Sequence, residues 1–307
     1  MCIRDRFATA PATSERAAAM PEMPEIQAQA ERLTERFAGR TLAKFVPFNF
    51  TALKTAVPAP DTAYGHPLLD VGRRGKYLLV RFEPTTFVVH LMQGGRLLAD
   101  DKLSAKPRGG QARFVFEPVE RPDGTIDGSA LLLTEQGKER RAGVWCVASD
   151  TALTSAPLDR LGLEAASITD DELAELFAAN SMRVHGFLRD QRLIAGIGRR
   201  LANEVCHRAR VSPFANTRKL GADGAALVAG AIRSCISESL EDERRRDDMS
   251  SSKERASSMH SRTGEPCPDC GDPVRAVTYS GYTVNYCAIC QTGGKVLADN
   301  TTSKFLK

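Results

Sequence analysis

The sequence predicts an α+β, multidomain chain: an N-terminal helix plus antiparallel β-sandwich, then a helical domain, then a C-terminal four-cysteine β-hairpin. Three observations carry this. Short β-rich runs separated by Gly, Pro and Asp fill the first half. From the stretch LDRLGLEAASITDDELAELF onward, apolar residues recur at helical spacing. Near the end, four cysteines fall into two C-x2-C pairs. The boundaries read as residues 1–19, an extension or miscalled start; 20–150, the sandwich domain; 151–262, the helical domain; 263–292, the cysteine module; and 293–307, a tail.

In the first domain Ile26, Ala30, Leu33 and Phe37 share one helical face, and Gly39 can end that helix. The runs TLAKFVPFNF, KYLLVRFE, TFVVHL, ARFVFE, ALLLT and AGVWCV follow. Strands at this spacing predict a sandwich or a barrel. In the second domain Thr169 or Asp170 can cap a helix carrying Leu173, Leu176 and Phe177. Helical pattern continues through HGFLRDQRLI, RRLANEVCHRAR and GADGAALVAGAIRSCISESL, with AGIGR as a break between two helices. The stretch EDERRRDDMSSSKERASSMHSR is poor in apolar residues and reads as a helix end running into a mobile loop. No internal repeat is present.

The 307 residues are 42% hydrophobic and 26% charged, so a packed core is available. No apolar run is long enough to span a bilayer, and residues 1–19 lack the continuous apolar segment of a secretory signal. The chain therefore reads as soluble and cytoplasmic, without a membrane partner. A net charge of +4 is only mildly basic, so distribution matters more than total. Cys2, Cys146, Cys206 and Cys235 are scattered, which suits a reducing compartment and one structural metal.

The metal ligands would be Cys267, Cys270, Cys287 and Cys290, in the pattern C-x2-C-x16-C-x2-C. Each pair aims two thiolates at one point, and four thiolates close a tetrahedral Zn2+ site, a zinc finger with no open position for catalysis. Between the pairs VRAVTYSGYTVNYC reads as a hairpin turning at Ser-Gly, presenting Arg275, Tyr279 and Tyr282.

A second cluster is cationic. Arg183, Arg189, Arg192, Arg199, Arg200, Arg208 and Arg210 stand against Asp190 and Glu204. The IAGIGRR turn places backbone N–H groups at a helix start, a natural phosphate seat. Arginines beside it could hold a duplex backbone; the bland alternative is a solvated helical face.

Five segments together resemble the formamidopyrimidine-DNA glycosylase and endonuclease VIII family of base-excision repair enzymes. They are MPEMPE at 20–25, RRGKYLL at 73–79, HLMQGGRL at 90–97, LIAGIGRRLANEV at 193–205, and GEPCPDC…YCAICQ at 264–291. The tail CQTGGKVLADNTTSKFLK is similar to that of an actinobacterial-type branch. The resemblance implies a β-sandwich, a helix-two-turn-helix domain and a zinc finger, with double-stranded DNA carrying a damaged base or abasic site in the cleft between the halves. It also implies a monomer.

The resemblance assigns roles residue by residue. If translation starts at Met20 and that methionine is removed, Pro21 supplies its α-amine as the nucleophile. An uncharged amine attacks the sugar C1′ and forms an iminium. An α-amine titrates near ~8, against ~10.4 for lysine, so much more of it is unprotonated at neutral pH. In a chain beginning at Met1, the Pro21 nitrogen is an amide and cannot attack. Glu22 is then the general acid/base that protonates the opening deoxyribose. Glu25 supports the site or the helix start. Lys76 contacts phosphate and assists catalysis.

Several positions depart from the family pattern. Gln93 stands where a methionine fills the gap left by a flipped base. ERRAG keeps Arg140 and Arg141 on the opposite-strand segment but has Ala142 for a phenylalanine wedge. Arg199 replaces an asparagine, His185 a lysine, and Tyr282 an arginine of the zinc hairpin. The loop that caps an oxidised purine has no recognisable counterpart. These changes bear on lesion choice and strand cleavage; Pro21, Glu22 and Lys76 are retained. The activity implied is that of a bifunctional DNA glycosylase and AP lyase, cutting by β-elimination. Two rival readings use the same residues: an inactive zinc-finger protein that binds damaged or abasic duplex, and a zinc-stapled interaction module.

Overall fold

Helix α1 (Met23–Phe37) has Pro24 in its first turn, where a backbone N–H is not needed. The computed structural model describes residues 20–120, 126–127, 129–137, 139–250, 254–279 and 282–297. The extension at 1–19, the Ser-Gly turn of the hairpin and the end of the tail lie outside the described residues. On α1 the predicted face is buried: Ile26, Ala30, Leu33 and Phe37 are each at most 3% exposed.

The strands then run β1 (Leu42–Pro47), β2 (Asp70–Arg74), β3 (Tyr77–Arg81), β4 (Thr85–His90), β5 (Gly95–Ala99), β6 (Gly110–Phe116), β7 (Val119–Glu120), β8 (Ile126–Asp127), β9 (Ala130–Glu135) and β10 (Gly143–Ala148). They form two four-stranded antiparallel sheets, ordered β1-β6-β9-β5 and β10-β4-β3-β2, with β7 and β8 a separate short ladder. The sandwich alternative thus holds over the barrel. Its core is aromatic: Phe87 lies 5.5 Å from Phe45 and 5.1 Å from Phe114, ring centre to centre.

Strands β3 and β4 are apolar without alternation because both faces are covered. Leu78, Val80, Phe87 and Val89 point into the sandwich. Leu79 and Val88 point outward under Val147, Ala152 and Leu158. Strands β2 and β5 are not among the predicted runs. Each carries Gly and Arg and keeps only one or two residues buried, so the hydrophobic pattern is weak there.

The second half begins with the short pair β11 (Leu163–Glu164) and β12 (Ile194–Ala195), which run parallel. Its helices are α2 (Asp170–Ala179), α3 (Val184–Arg189), α4 (Arg199–Arg208) and α5 (Thr217–Arg244). Thr169 caps α2: its hydroxyl accepts the Glu172 N–H at 3.2 Å and Glu172 accepts the Thr169 N–H at 2.8 Å. Helix α3 is shorter than HGFLRDQRLI predicts. The Asp190 carboxylate accepts the Arg192 N–H at 3.0 Å and turns the chain out of the helix. Phe177, Phe187, Leu201, Val205, Val228 and Ile232 form the helical core.

The C-terminal module is the hairpin β13 (Arg275–Tyr279) and β14 (Tyr282–Tyr286), followed by α6 (Ala288–Thr292). One expectation needs correction. The segment after α5 is not a loose loop where it is described. The Glu204 carboxylate accepts the N–H groups of Ser258, Met259 and His260 at 2.8, 3.1 and 2.9 Å. Polar anchors do there what apolar residues do elsewhere, so hydropathy gives no sign of order.

Candidate active site

The two halves meet where the start of α1 touches the start of α4. The Met23 N–H donates to the Gly196 carbonyl at 3.0 Å, and Met23 packs in the helical core while the rest of its helix serves the sandwich. The Glu22 carboxylate accepts the N–H of Arg200 at 2.9 Å and of Leu201 at 3.0 Å. It therefore caps α4 from the other half. This changes the phosphate seat expected at IAGIGRR: the Arg200 N–H of that turn, and the Leu201 N–H after it, donate to a carboxylate of the chain itself. Gly198 permits the approach, because a Cβ there would collide with Glu22.

Burial opposes ionisation of Glu22, but Arg200, Lys76, the Leu201 N–H and Arg255 outweigh it and hold the group below the usual carboxylate range. Glu25 lies behind it. Its carboxylate accepts the Glu22 N–H at 2.8 Å and pairs with Arg255 at 3.0 Å and Arg200 at 3.3 Å. Burial pushes Glu25 up despite those two arginines, and the Glu22 charge adds to the rise.

Lys76 sits at the turn between β2 and β3. Glu164 fixes that turn by pairing with Arg73 at 2.7 Å and Arg74 at 2.5 Å and accepting the Gly75 N–H at 2.6 Å. Gly75 has φ +55°, and a Cβ there would press on Ala195 and Leu161, so the tight turn needs glycine. Burial lowers the Lys76 ammonium to about 8, with Arg189 contributing in the same direction and Glu22 and Glu25 opposing.

A cavity of about 520 Å3 opens at this junction, lined by Met20, Glu22, Lys76, Gln93, Arg189, Gln191, Gly198, Arg199, Arg200, His260 and Tyr282. Of the residues singled out in the sequence, Glu22, Lys76, Gln93, Arg199 and Tyr282 converge on it. Pro21 is buried between two lining residues, Met20 and Glu22. Glu25 supports from beneath. His185 is buried behind Tyr282, with ring centres 5.7 Å apart and planes 20° apart, and burial with Arg189 drives it down to about 3. Arg140 and Arg141 are exposed and are not among the lining residues; Arg141 pairs with Glu139 at 2.7 Å. Ala142 is 1% exposed and belongs to the sandwich core. Arg189 and Arg200, members of the cationic run, line the cavity too, whereas His260 lines it although no sequence motif marks it as a site residue. His260 accepts from the Asn203 amide at 2.9 Å.

The four cysteines of the C-terminal module come together as predicted. Each Sγ lies within 4.8 Å of the others, with Cys270–Cys287 at 3.4 Å and Cys267–Cys290 at 3.9 Å. A tetrahedron with metal–sulfur bonds of about 2.3 Å has edges of about 3.8 Å, so these residues fit one tetrahedral cation. His207 of α4 reaches the same cluster, its Nε2 3.3 Å from the Cys267 sulfur.

This combination of sandwich, helical domain and four-thiolate hairpin defines a class of two-halved protein with a polar site at the junction. Residues 20–139 match the formamidopyrimidine-DNA glycosylase N-terminal domain, and residues 161–250 match the formamidopyrimidine-DNA glycosylase H2TH domain. The chain belongs to the formamidopyrimidine-DNA glycosylase/endonuclease VIII family. The formamidopyrimidine-DNA glycosylase of Brucella canis is 30% identical over 299 residues, covering 89% of this chain and 100% of that protein. An uncharacterized formamidopyrimidine-DNA glycosylase-like protein of Mycobacterium tuberculosis is 39% identical over 149 residues, covering 48% of this chain and 94% of that one. Among solved structures, the MutM (Fpg) protein of Thermus thermophilus superposes with a TM-score of 0.71 at 28% identity, covering 88% of this chain and 98% of that one. A Lactococcus lactis Fpg bound to DNA containing an AP site superposes at 0.75 with 18% identity, covering 88% and 99%.

Proposed function

We propose that the protein is a DNA glycosylase of base-excision repair that also acts as an AP lyase, with Pro21 as nucleophile. The observation that carries this reading is the convergence of Glu22 and Lys76, from different elements, on one cavity beside Pro21. Family membership supports the glycosylase class. Related Lactococcus lactis Fpg structures that hold AP-site and Fapy-dG DNA support damaged duplex DNA as the partner.

In this reading the chain begins at Met20 and loses that residue, which turns the Pro21 nitrogen from an amide into a secondary amine. Its lone pair attacks C1′, and the bond from C1′ to the base breaks. Glu22 delivers a proton to the ring oxygen as the sugar opens, leaving an iminium between Pro21 and C1′. Loss of a C2′ proton then expels the 3′ phosphate, and water frees the amine. Glu22 is held as a carboxylate in the free protein, so it can take the proton that the Pro21 nitrogen sheds on bonding to C1′ and pass it to the ring oxygen, while the departing base takes its proton from water. Lys76, partly neutral near pH 8, places positive charge at the phosphate when protonated. Gln93, Arg140, Arg141, His185, Arg199 and Tyr282 serve DNA binding, Gln93, Arg199 and Tyr282 at the cavity itself. The division at residues 20–150, 151–262 and 263–292 follows these roles. Cys267, Cys270, Cys287 and Cys290 would hold one structural zinc, which would supply no chemistry to the reaction and would stiffen the hairpin bearing Tyr282.

Borohydride trapping on abasic duplex tests this, using two versions of the chain that begin at Met1 and at Met20, each with its N-terminus read by mass. A covalent adduct only with the version exposing Pro21 is the expected result. Binding by both without any adduct would overturn the catalytic reading and favour a non-catalytic binder.

A further inference from the structure

One cation in the cavity is presented differently from the rest. Arg189 ends α3, and its guanidinium carbon lies 3.8 Å from the Tyr282 ring centre. Tyr282 in turn stacks on His185. The three side chains make a column that joins α3 to the metal-bearing hairpin. Several neighbouring arginines are paired, Arg192 with Asp190, Arg200 and Arg255 with Glu25, Arg73 and Arg74 with Glu164; Arg199, which also lines the cavity, has among the described residues neither a carboxylate partner nor an aromatic ring under it. Among the described residues no carboxylate pairs with Arg189. A half-buried guanidinium kept on an aromatic face, with no described carboxylate paired to it and its side chain lining an open cavity, is built to receive an oxyanion.

We propose that Arg189, positioned by the Tyr282 ring, anchors a backbone phosphate of the bound nucleic acid at this cavity. The proposal rests on the DNA-binding reading above and adds the residue and the means of its presentation. The charge comes from the helical domain and the platform from the hairpin, so neither element makes the contact alone. Tyr282 acts through its ring as a positioning residue. The column also explains why Arg189 sits close enough to depress Lys76: a phosphate received between the two cations relieves that repulsion.

The test is fluorescence anisotropy with a duplex carrying a tetrahydrofuran abasic analogue, measured across a salt series. Arg189→Ala is expected to weaken binding about tenfold and to reduce the slope of log affinity against log salt by about 0.9, one phosphate contact. Tyr282→Phe, which keeps the ring and removes the phenol oxygen, is expected to lose clearly less affinity than Tyr282→Ala, which should weaken binding like Arg189→Ala. Metal content and circular dichroism establish that each variant is folded. Arg189→Ala with unchanged affinity and slope overturns the anchor while leaving DNA binding intact. Tyr282→Phe as weak as Tyr282→Ala would assign the contact to the phenol oxygen and overturn the platform. A wild-type chain that does not bind the duplex would overturn the proposal and the functional reading together.

Discussion

The Glu22 carboxylate accepts the Leu201 N–H at 3.0 Å, so an acid ahead of α1 caps α4 in the other half of the molecule. A helix N-terminus carries partial positive charge and free N–H donors, and both favour a carboxylate there. The same bond sets the distance between the halves at the cavity.

Gly198 is the sensitive point of that contact. A methyl group at this position overlaps the Glu22 carboxylate, and the acid must move or α4 must withdraw. Gly198→Ala is expected to cost about 1–3 kcal/mol in urea unfolding, from overpacking and loss of buried hydrogen bonds. Covalent trapping should fall about tenfold or more, because a misplaced acid loses its orientation. Wild-type stability and trapping in this variant would show that the capped position of Glu22 is dispensable.

Lys76 yields a second prediction, through pH. Its folded-state pKa is about 8, against an ordinary 10.5. Below about pH 8 both folded and unfolded chains carry the proton, and the cost of the buried charge is fully felt. Between about 8 and 10.5 the unfolded chain binds more protons, so this group makes stability rise with pH across that window. Lys76→Met removes the charge and should flatten the rise, with the larger gain in stability at neutral pH. Chemical denaturation across the window measures this. A variant whose pH profile parallels the wild type would assign the dependence to another group.

Much of this is legible in the chain, and the illegible parts share a cause. The face of α1, the Thr169 cap and the four cysteines depend on local spacing, and each lies where spacing puts it. The doubly covered β3 and β4 are visible because continuous apolar runs are conspicuous. Glu22 and Lys76 are reached through motifs, not through any local physical signal, since Pro-opened helices and strand-end lysines are ordinary. The partners of Glu22 escape a local reading because the Arg200 N–H at the end of GIGRR is satisfied by a residue 178 positions earlier in the chain. Arg189 looks like one charge in a basic run; only the fold shows that it lies on the Tyr282 ring. His260 is hidden in a segment held largely by polar anchors, Glu204 among them.

That acid, Glu204, gives the last prediction. Its two oxygens accept three consecutive N–H groups, from Ser258, Met259 and His260, and no other described carboxylate touches them. Asn203, the preceding residue on α4, holds the His260 ring, and Asn285 of the hairpin accepts the Ser261 N–H at 3.0 Å. Without Glu204 the amides of residues 258–260 lose their acceptor while the flanking contacts remain. Glu204→Ala should therefore loosen this segment alone, raising amide exchange at Ser258, Met259 and His260 about tenfold or more. Exchange in the sandwich strands should be unchanged, and thiolate–metal stoichiometry should hold, because Glu204 contacts neither. His260 would leave the cavity rim, and affinity for abasic duplex should fall with it. Unchanged exchange at those three amides would mean the Asn203 and Asn285 contacts suffice, and that the carboxylate is not what orders the segment.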